Sequence, residues 1–269
     1  NLARQIVASG GQVRLVHRET RRNSSIITQV DQFPQGPFAL REVYWTGIDP
    51  VKFAESGSLK LPTADDSHGM TNETFEAIVN LLAPCSDLRR LGLQTRDNRV
   101  SDDALTCLGS LSQLEHVMIG FPQLSDAAVE DLKKLPNLIV IWLVSPRLSD
   151  GIWESLAEWK QLESIILSAG GSGKHSRLAG EGVALLADLT KLRKLSLQST
   201  QLSEEGIRQI SSLRQLEELD LYNSNLDDKQ LESLKALENL KSLGLVETQV
   251  TETAVERFKE ALPRCSVYF

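Results

Sequence analysis

The sequence predicts an α/β right-handed solenoid, a horseshoe with a parallel β-sheet on its concave side, helices on its convex side, and about eight repeats between two caps. Two observations predict it. The pattern L-x-x-[LIV]-x-[LI] begins at Leu88, Leu114, Leu138, Leu162, Leu192, Leu216 and Leu240, at spacings of 26, 24, 24, 30, 24 and 24 residues. About ten residues after most of these starts, an apolar residue is followed by Ser, Thr or Asp and then an acid: Val100-Ser101-Asp102, Leu124-Ser125-Asp126, Leu148-Ser149-Asp150, Leu202-Ser203-Glu204, Leu226-Asp227-Asp228 and Val250-Thr251-Glu252.

Each unit therefore reads as a short strand, a turn and a helix of about two to three turns. The Ser, Thr or Asp accepts from free N–H groups of the first helical turn, and the next acid sits at the positive end of the helix dipole. Such a unit cannot bury its apolar face alone. Stacking solves this by placing Leu192, Leu195 and Leu197 against Leu216, Leu219 and Leu221. Strands pack about 4.8 Å apart and helices about 10 Å apart, so the stack is expected to curve with its strands inside.

Taken in order, residues 1–37 are expected to form an N-terminal cap. Within it, 1–8 has helical character, 12–17 alternates like a strand, and 25–30 reads as that strand's partner. The array is expected to span 38–264 and to open with a weaker copy at Leu40 (LREVYW), 48 residues before Leu88. An irregular insertion at 50–70 contains a further strand candidate at 58–61. A loop insertion at 169–177 accounts for the spacing of 30, and 265–269 reads as a C-terminal cap strand.

Composition narrows the function. Of 269 residues, 41% are apolar and 24% charged, which places the chain among soluble globular sequences. A net charge of −7 argues against nucleic acid as a partner, since phosphate binding needs a basic face. Arg14, His17, Arg18, Arg21 and Arg22 are a local basic cluster; with no interleaved aromatic rings they read as a solvated edge. No apolar run approaches the roughly 18 residues of a membrane span, so membrane insertion is not expected of this segment. The chain opens at Asn1 rather than Met, which reads as a soluble piece of something longer; its compartment stays open. Cys85, Cys107 and Cys265 are odd in number and far apart, and read as small buried hydrophobes rather than disulfide or zinc residues.

These residues resemble the leucine-rich-repeat proteins, specifically a bacterial 24-residue type. The phrases Thr200-Gln201-Leu202-Ser203-Glu204 and Thr248-Gln249-Val250-Thr251-Glu252 carry the likeness. The stretch from Phe258 through Ala261-Leu262-Pro263 to Cys265 resembles the terminal cap of planctomycete-type members, and Ala8 to Leu15 and Phe33 to Phe38 resemble their N-terminal cap. The resemblance implies a partner-binding array, in some members attached to kinase or membrane-anchored modules, of which this sequence carries none.

Catalytic and cofactor constellations fail their tests, and no cofactor is expected. His17, His68, His116 and His175 show no i,i+4 pairing. Asp65, Asp66 and His68 are close in sequence but read as a solvated loop. Gly170-Gly171-Ser172-Gly173-Lys174-His175-Ser176 evokes a phosphate loop, yet Ser168 stands where a glycine is needed and His175 where Ser or Thr is needed. The acid pairs Asp102-Asp103 and Asp227-Asp228 read as helix capping.

Alternation predicts which side chains leave the core. The outward triads are Glu42, Tyr44, Thr46; Arg90, Gly92, Gln94; His116, Met118, Gly120; Val140, Trp142, Val144; Ser164, Ile166, Ser168; Lys194, Ser196, Gln198; Glu218, Asp220, Tyr222; and Ser242, Gly244, Val246. Met118, Val140, Trp142, Val144 and Ile166 should form an apolar contact patch, with His116 and Tyr222 as further partner contacts. The loop carrying Lys174, His175 and Arg177 should lie beside it and order against an acidic partner. The expected role is a non-catalytic scaffold binding a protein on the concave face. Closure of a homodimer, coverage of the patch by the cap or loop, recognition of a glycan or cell-wall polymer, and a regulatory role in a larger enzyme or receptor are the alternatives.

Overall fold

The structure, a computed structural model, describes residues 3, 4, 6, 12–17, 38–46, 70–94, 99–170 and 176–269. The expected partner strand at 25–30, the strand candidate at 58–61 and the polar triplet Asp65, Asp66, His68 lie outside these residues, as do Arg18, Arg21 and Arg22. By their contacts the residues divide into two compact units, Asn1–Gln123 with Asp131–Leu138, and Leu124–Glu130 with Ile139–Phe269.

In the first unit, β1 (Gln12–His17) pairs antiparallel with β2 (Phe38–Thr46). From there the pairing turns parallel: β2 with β3 (Arg90–Gln94), and β3 with β4 (His116–Gly120). The register aligns Val43, Leu91 and Val117, all buried, and on the opposite face Glu42, Arg90 and His116. Equivalent positions of successive repeats thus lie side by side, as the leucine spacing requires. Helix α1 (Asn72–Leu82) starts at Thr71, whose hydroxyl accepts from the Thr74 N–H at 3.3 Å, and its Phe75 ring meets Phe121 edge to face at 5.5 Å. No sequence signal had marked this helix, because its acid is one residue removed from the repeat's usual place.

Six parallel strands run through the second unit, the first five each followed by a helix or 3-10 turn. Strands β5 (Val140–Val144), β6 (Ser164–Ser168), β7 (Lys194–Gln198), β8 (Glu218–Asp220), β9 (Ser242–Gly244) and β10 (Ser266–Tyr268) pair parallel, each with the next. Ile141, Ile165, Leu195, Leu219 and Leu243 form one buried row across them. These are leucine-rich-repeat-like coils, a mostly parallel sheet alternating with helices.

The helices are shorter than the sequence suggested. Helices α2 (Ala127–Leu132), α3 (Ile152–Leu156), α4 (Glu204–Ile210) and α5 (Asp228–Leu234) have five to seven residues, while α1 and α6 (Glu252–Ala261) are longer. Asp102–Ser110 and Val183–Asp188 are 3-10 helices. A strand and two turns consume most of a 24-residue coil, leaving room for one or two turns of helix, and 3-10 winding advances farther per residue. In α4 the first turn packs so closely that a side chain at Gly206 would place its Cβ 2.0 Å from the Ala179 carbonyl oxygen.

Capping is also more varied than the repeated phrase implied. Ser203, Asp227 and Thr251 cap as expected, Asp227 in a reciprocal box with Gln230. Ser101 makes no side-chain cap bond. The acid that follows often reaches across to the next coil instead of merely facing its own helix dipole. Asp228 accepts the Thr251 N–H at 2.7 Å and the Thr251 hydroxyl at 2.8 Å, and Asp126 accepts both the N–H and the hydroxyl of Ser149. Asp150 takes the Trp153 indole N–H at 2.9 Å and the N–H groups of Ala179 and Gly180, tying down the chain as it returns from the long repeat.

Two tests follow from this packing. Trp153 is fully buried whereas Trp142 is 37% exposed, so Trp153→Ala should cost about 3–5 kcal/mol and Trp142→Ala below about 1 kcal/mol in denaturant unfolding. The Thr251 N–H, then its hydroxyl, holds the Asp228 carboxyl below the usual carboxylate range. This bond therefore contributes fully above the unfolded-state value, about 3.9, and is lost as pH falls through the lower folded value. NMR titration should show the depressed carboxyl, and Thr251→Val should raise it.

Candidate binding face

On the face of the second unit opposite its buried rows, three ladders of side chains can be followed from strand to strand. The first runs Val140, Ser164, Lys194, Glu218, Ser242, Ser266; the second runs Trp142, Ile166, Ser196, Asp220, Gly244, Tyr268. The third begins Val144, Ser168, Gln198. Tyr222 and Val246 follow two residues beyond Asp220 and Gly244.

The first end of this face is apolar. The structure brings Val140, Trp142, Val144 and Ile166 together on β5 and β6, with Trp142 directly opposite Ile166. The indole is 37% exposed while its strand neighbours Ile141 and Leu143 are buried, so the predicted alternation holds here. Ser164 and Ser168 border it. A Cβ built on Gly170 would lie 3.9 Å from Val144 Cγ1, so the inserted loop departs beside this patch. Lys174 and His175 lie outside the described residues; Arg177 is exposed, and its backbone bridges to Ser149. His116 and Met118 are half-buried on β4 of the first unit, beside Arg90 and Gly92.

Three polar outward positions are buried despite the frame: Ser168 and Ser196, whose short side chains are covered by their neighbours, and Glu42. Glu42 is 3% exposed, held by Arg14 at 3.3 Å and Arg90 at 3.5 Å. Arg14 is thus part of an ion-paired ladder in the first unit rather than of a freely solvated basic edge. A carboxylate this buried is sustained by opposite charge on both sides.

The other end of the face is polar and aromatic. Lys194 pairs with Glu218 at 3.0 Å and Arg193 with Glu217 at 3.7 Å, so neighbouring strands neutralise each other's charge. Asp220 accepts from Gln198 Nε2 at 2.7 Å, Ser196 Oγ at 3.1 Å and the Tyr222 N–H at 3.1 Å. Between Asp220 and Tyr268, Gly244 leaves a depression of about 330 Å³. Sequence reasoning had Tyr222 but missed Tyr268, because the last coil lacks its opening leucine; stepping 24 residues on from Gly244 would have found it. The depression is open to solvent.

The thiols are structural in character. Cys85 and Cys107 are half-buried and Cys265 is buried; all are free, and burial pushes each thiol up, with Glu76 adding to the effect at Cys107, which reaches about 11. Among the described residues no group of three or more His, Cys, Asp or Glu side chains could hold a metal ion, and no helix is long and apolar enough to cross a membrane.

No family model and no curated protein matches the sequence. Among solved structures the chain is similar to an internalin of Listeria monocytogenes, at 16% identity and a TM-score of 0.34, covering 72% of this chain and 69% of that one. It is also similar to a protein from Bacteroides fragilis, at 15% identity and a TM-score of 0.49, covering 80% and 72%. We rest the fold on the strand register and repeat spacing.

The Tyr222 hydroxyl donates to Glu247, and this bond, with the carboxylate's charge, lifts it above its usual value of about 10. Spectrophotometric titration should find one tyrosine ionising late, and Glu247→Gln should return it toward the ordinary value.

Proposed function

We propose that this chain is a non-catalytic, protein-binding scaffold of the bacterial leucine-rich-repeat type, with the outward face of β5 and β6 as its main contact. The observation that carries this reading is the exposed Trp142 ring in a row with Ile166, flanked along its own strand by Val140 and Val144. Apolar side chains gathered on the solvent side of a sheet contribute little to the fold they stand on, roughly 0.2–1 kcal/mol for a cross-strand pair. A partner that desolvates them gains roughly 25 cal/mol for each Å² of apolar surface covered. Tryptophan is also the residue type most often found to anchor such contacts, and the bordering serines supply a polar rim. His116 and Met118 on β4, and Tyr222 in the turn after β8, are proposed as further contacts. The planctomycete-type resemblance rests on the sequence phrases alone.

Capture from the source lysate by immobilised chain, compared with Trp142→Ala, tests the reading. A partner retained by the wild type should be lost at least about tenfold with the variant, since a central aromatic anchor is worth on the order of 2 kcal/mol or more. Circular dichroism should find the variant folded. Undiminished capture by Trp142→Ala would remove this face as the contact. Sedimentation of the chain alone distinguishes a second copy as the partner.

A further inference from the structure

We infer that the depression at the far end of this face is a second, separate recognition site, one that takes an arginine side chain of a protein partner. It goes beyond the proposed scaffold role and needs none of the residues of the Trp142 patch.

The site is built by an omission. Gly244 is flanked in register by Asp220 on one side and Tyr268 on the other, so the missing side chain opens a slot about two strand spacings, roughly 10 Å, from wall to wall. A Cβ at this glycine would lie 2.5 Å from Asp220 Oδ1, so a side chain there would displace that carboxylate from its present position. The depression of about 330 Å³ is larger than a bare ammonium or metal ion needs and accommodates a guanidinium with its stem. Tyr268 is 61% exposed and Tyr222 is exposed too, giving the slot two aromatic walls beside its acids.

Charge selects the occupant. Asp220 is oriented by three neutral donors and, among the described residues, has no ion pair. Lys194, the one cation lining the slot, is already paired with Glu218. With Glu247 bonded to Tyr222 at the rim, the slot keeps uncompensated negative charge. The carboxylates also retain unused acceptor lone pairs, since Asp220 receives three bonds of the roughly four it can accept. A ligand complementary to this must be cationic, rich in donors and able to lie against aromatic rings. Guanidinium meets all three demands: it is planar, always charged, carries five N–H donors and stacks on aromatic faces. A neutral sugar, with hydroxyl donors and apolar C–H faces, meets the last two but lacks the charge.

The test titrates the whole chain, followed by amide NMR, with three probes: acetyl-Gly-Arg-Gly-amide, the same peptide with citrulline in place of arginine, and cellotetraose. The arginine peptide should shift the amides of Tyr222 and Gly244 with a dissociation constant on the order of 1 mM, and citrulline, which keeps the planar shape but loses the charge and two of the five N–H donors, should weaken this at least about tenfold. Tyr268→Ala and Asp220→Asn should each weaken binding of the arginine peptide, while Trp142→Ala should leave it unchanged. That last result separates failure of this site from failure of the β5–β6 face. Tyr268 is exposed near the end of the sheet, so its loss spares the fold and keeps the test decisive if Asp220→Asn perturbs its neighbours. Equal binding of the citrulline peptide, a response to cellotetraose alone, or no response from Tyr222 and Gly244 to the arginine peptide would each overturn the inference.

Discussion

The structure depends on one constraint: each coil must set its apolar residues beside the equivalent residues of the next. A single 24-residue coil has one strand and a turn or two of helix, too little to enclose a core. Its leucines become buried only when Ile165 lies against Ile141 and Leu195, and so on along the rows. A slip of one residue in any pairing would turn Leu195 and Leu197 outward and bring Lys194 and Ser196 into the core. The register is thus enforced by burial in every coil, and the outward face inherits its order from that enforcement.

Polar bonds follow the same spacing and complete what the leucines begin. Asp126 reaches Ser149, Asp228 reaches Thr251, and Asn225 takes the Leu202 N–H at 2.7 Å while donating to the Leu202 carbonyl. Each satisfies a backbone group at a turn where the sheet's own ladder has ended. Unpaired backbone groups at those turns would otherwise meet the core edge of the neighbouring coil. The long repeat shows how an exception is absorbed. Asp150, which in its counterparts serves a cap residue, instead accepts from Ala179 and Gly180 and closes the chain back into step.

Because the rows are fixed by the core, what varies along the outward face is available for recognition. In the second unit that face changes character from one end to the other: Trp142 and Ile166, then Ser196, then Asp220, Gly244 and Tyr268 in a single ladder. The proposed apolar anchor at Trp142 and the proposed slot at Gly244 are four strand spacings apart, about 19 Å, and would give a partner two chemically distinct handles. Two such handles select for both spacing and charge, where a uniform face would select for neither.

The sequence by itself determined the coil, its stacking partner and the alternation that sends Trp142 outward, because leucine spacing carries all three locally. The apolar patch on β5 and β6 was legible for the same reason. Helix α1 was not, since Thr71 and Asn72 stand outside the repeated phrase. Nor was the burial of Glu42, which depends on Arg14 arriving from a strand 28 residues away. The acids looked like simple dipole partners in sequence; only the folded chain shows Asp228 serving the following coil. The frame placed Asp220 and Gly244 outward, but the slot between them and Tyr268 emerged only in the tertiary structure. A glycine is silent in a pattern of leucines, and what its missing side chain exposes is decided by the strands on either side.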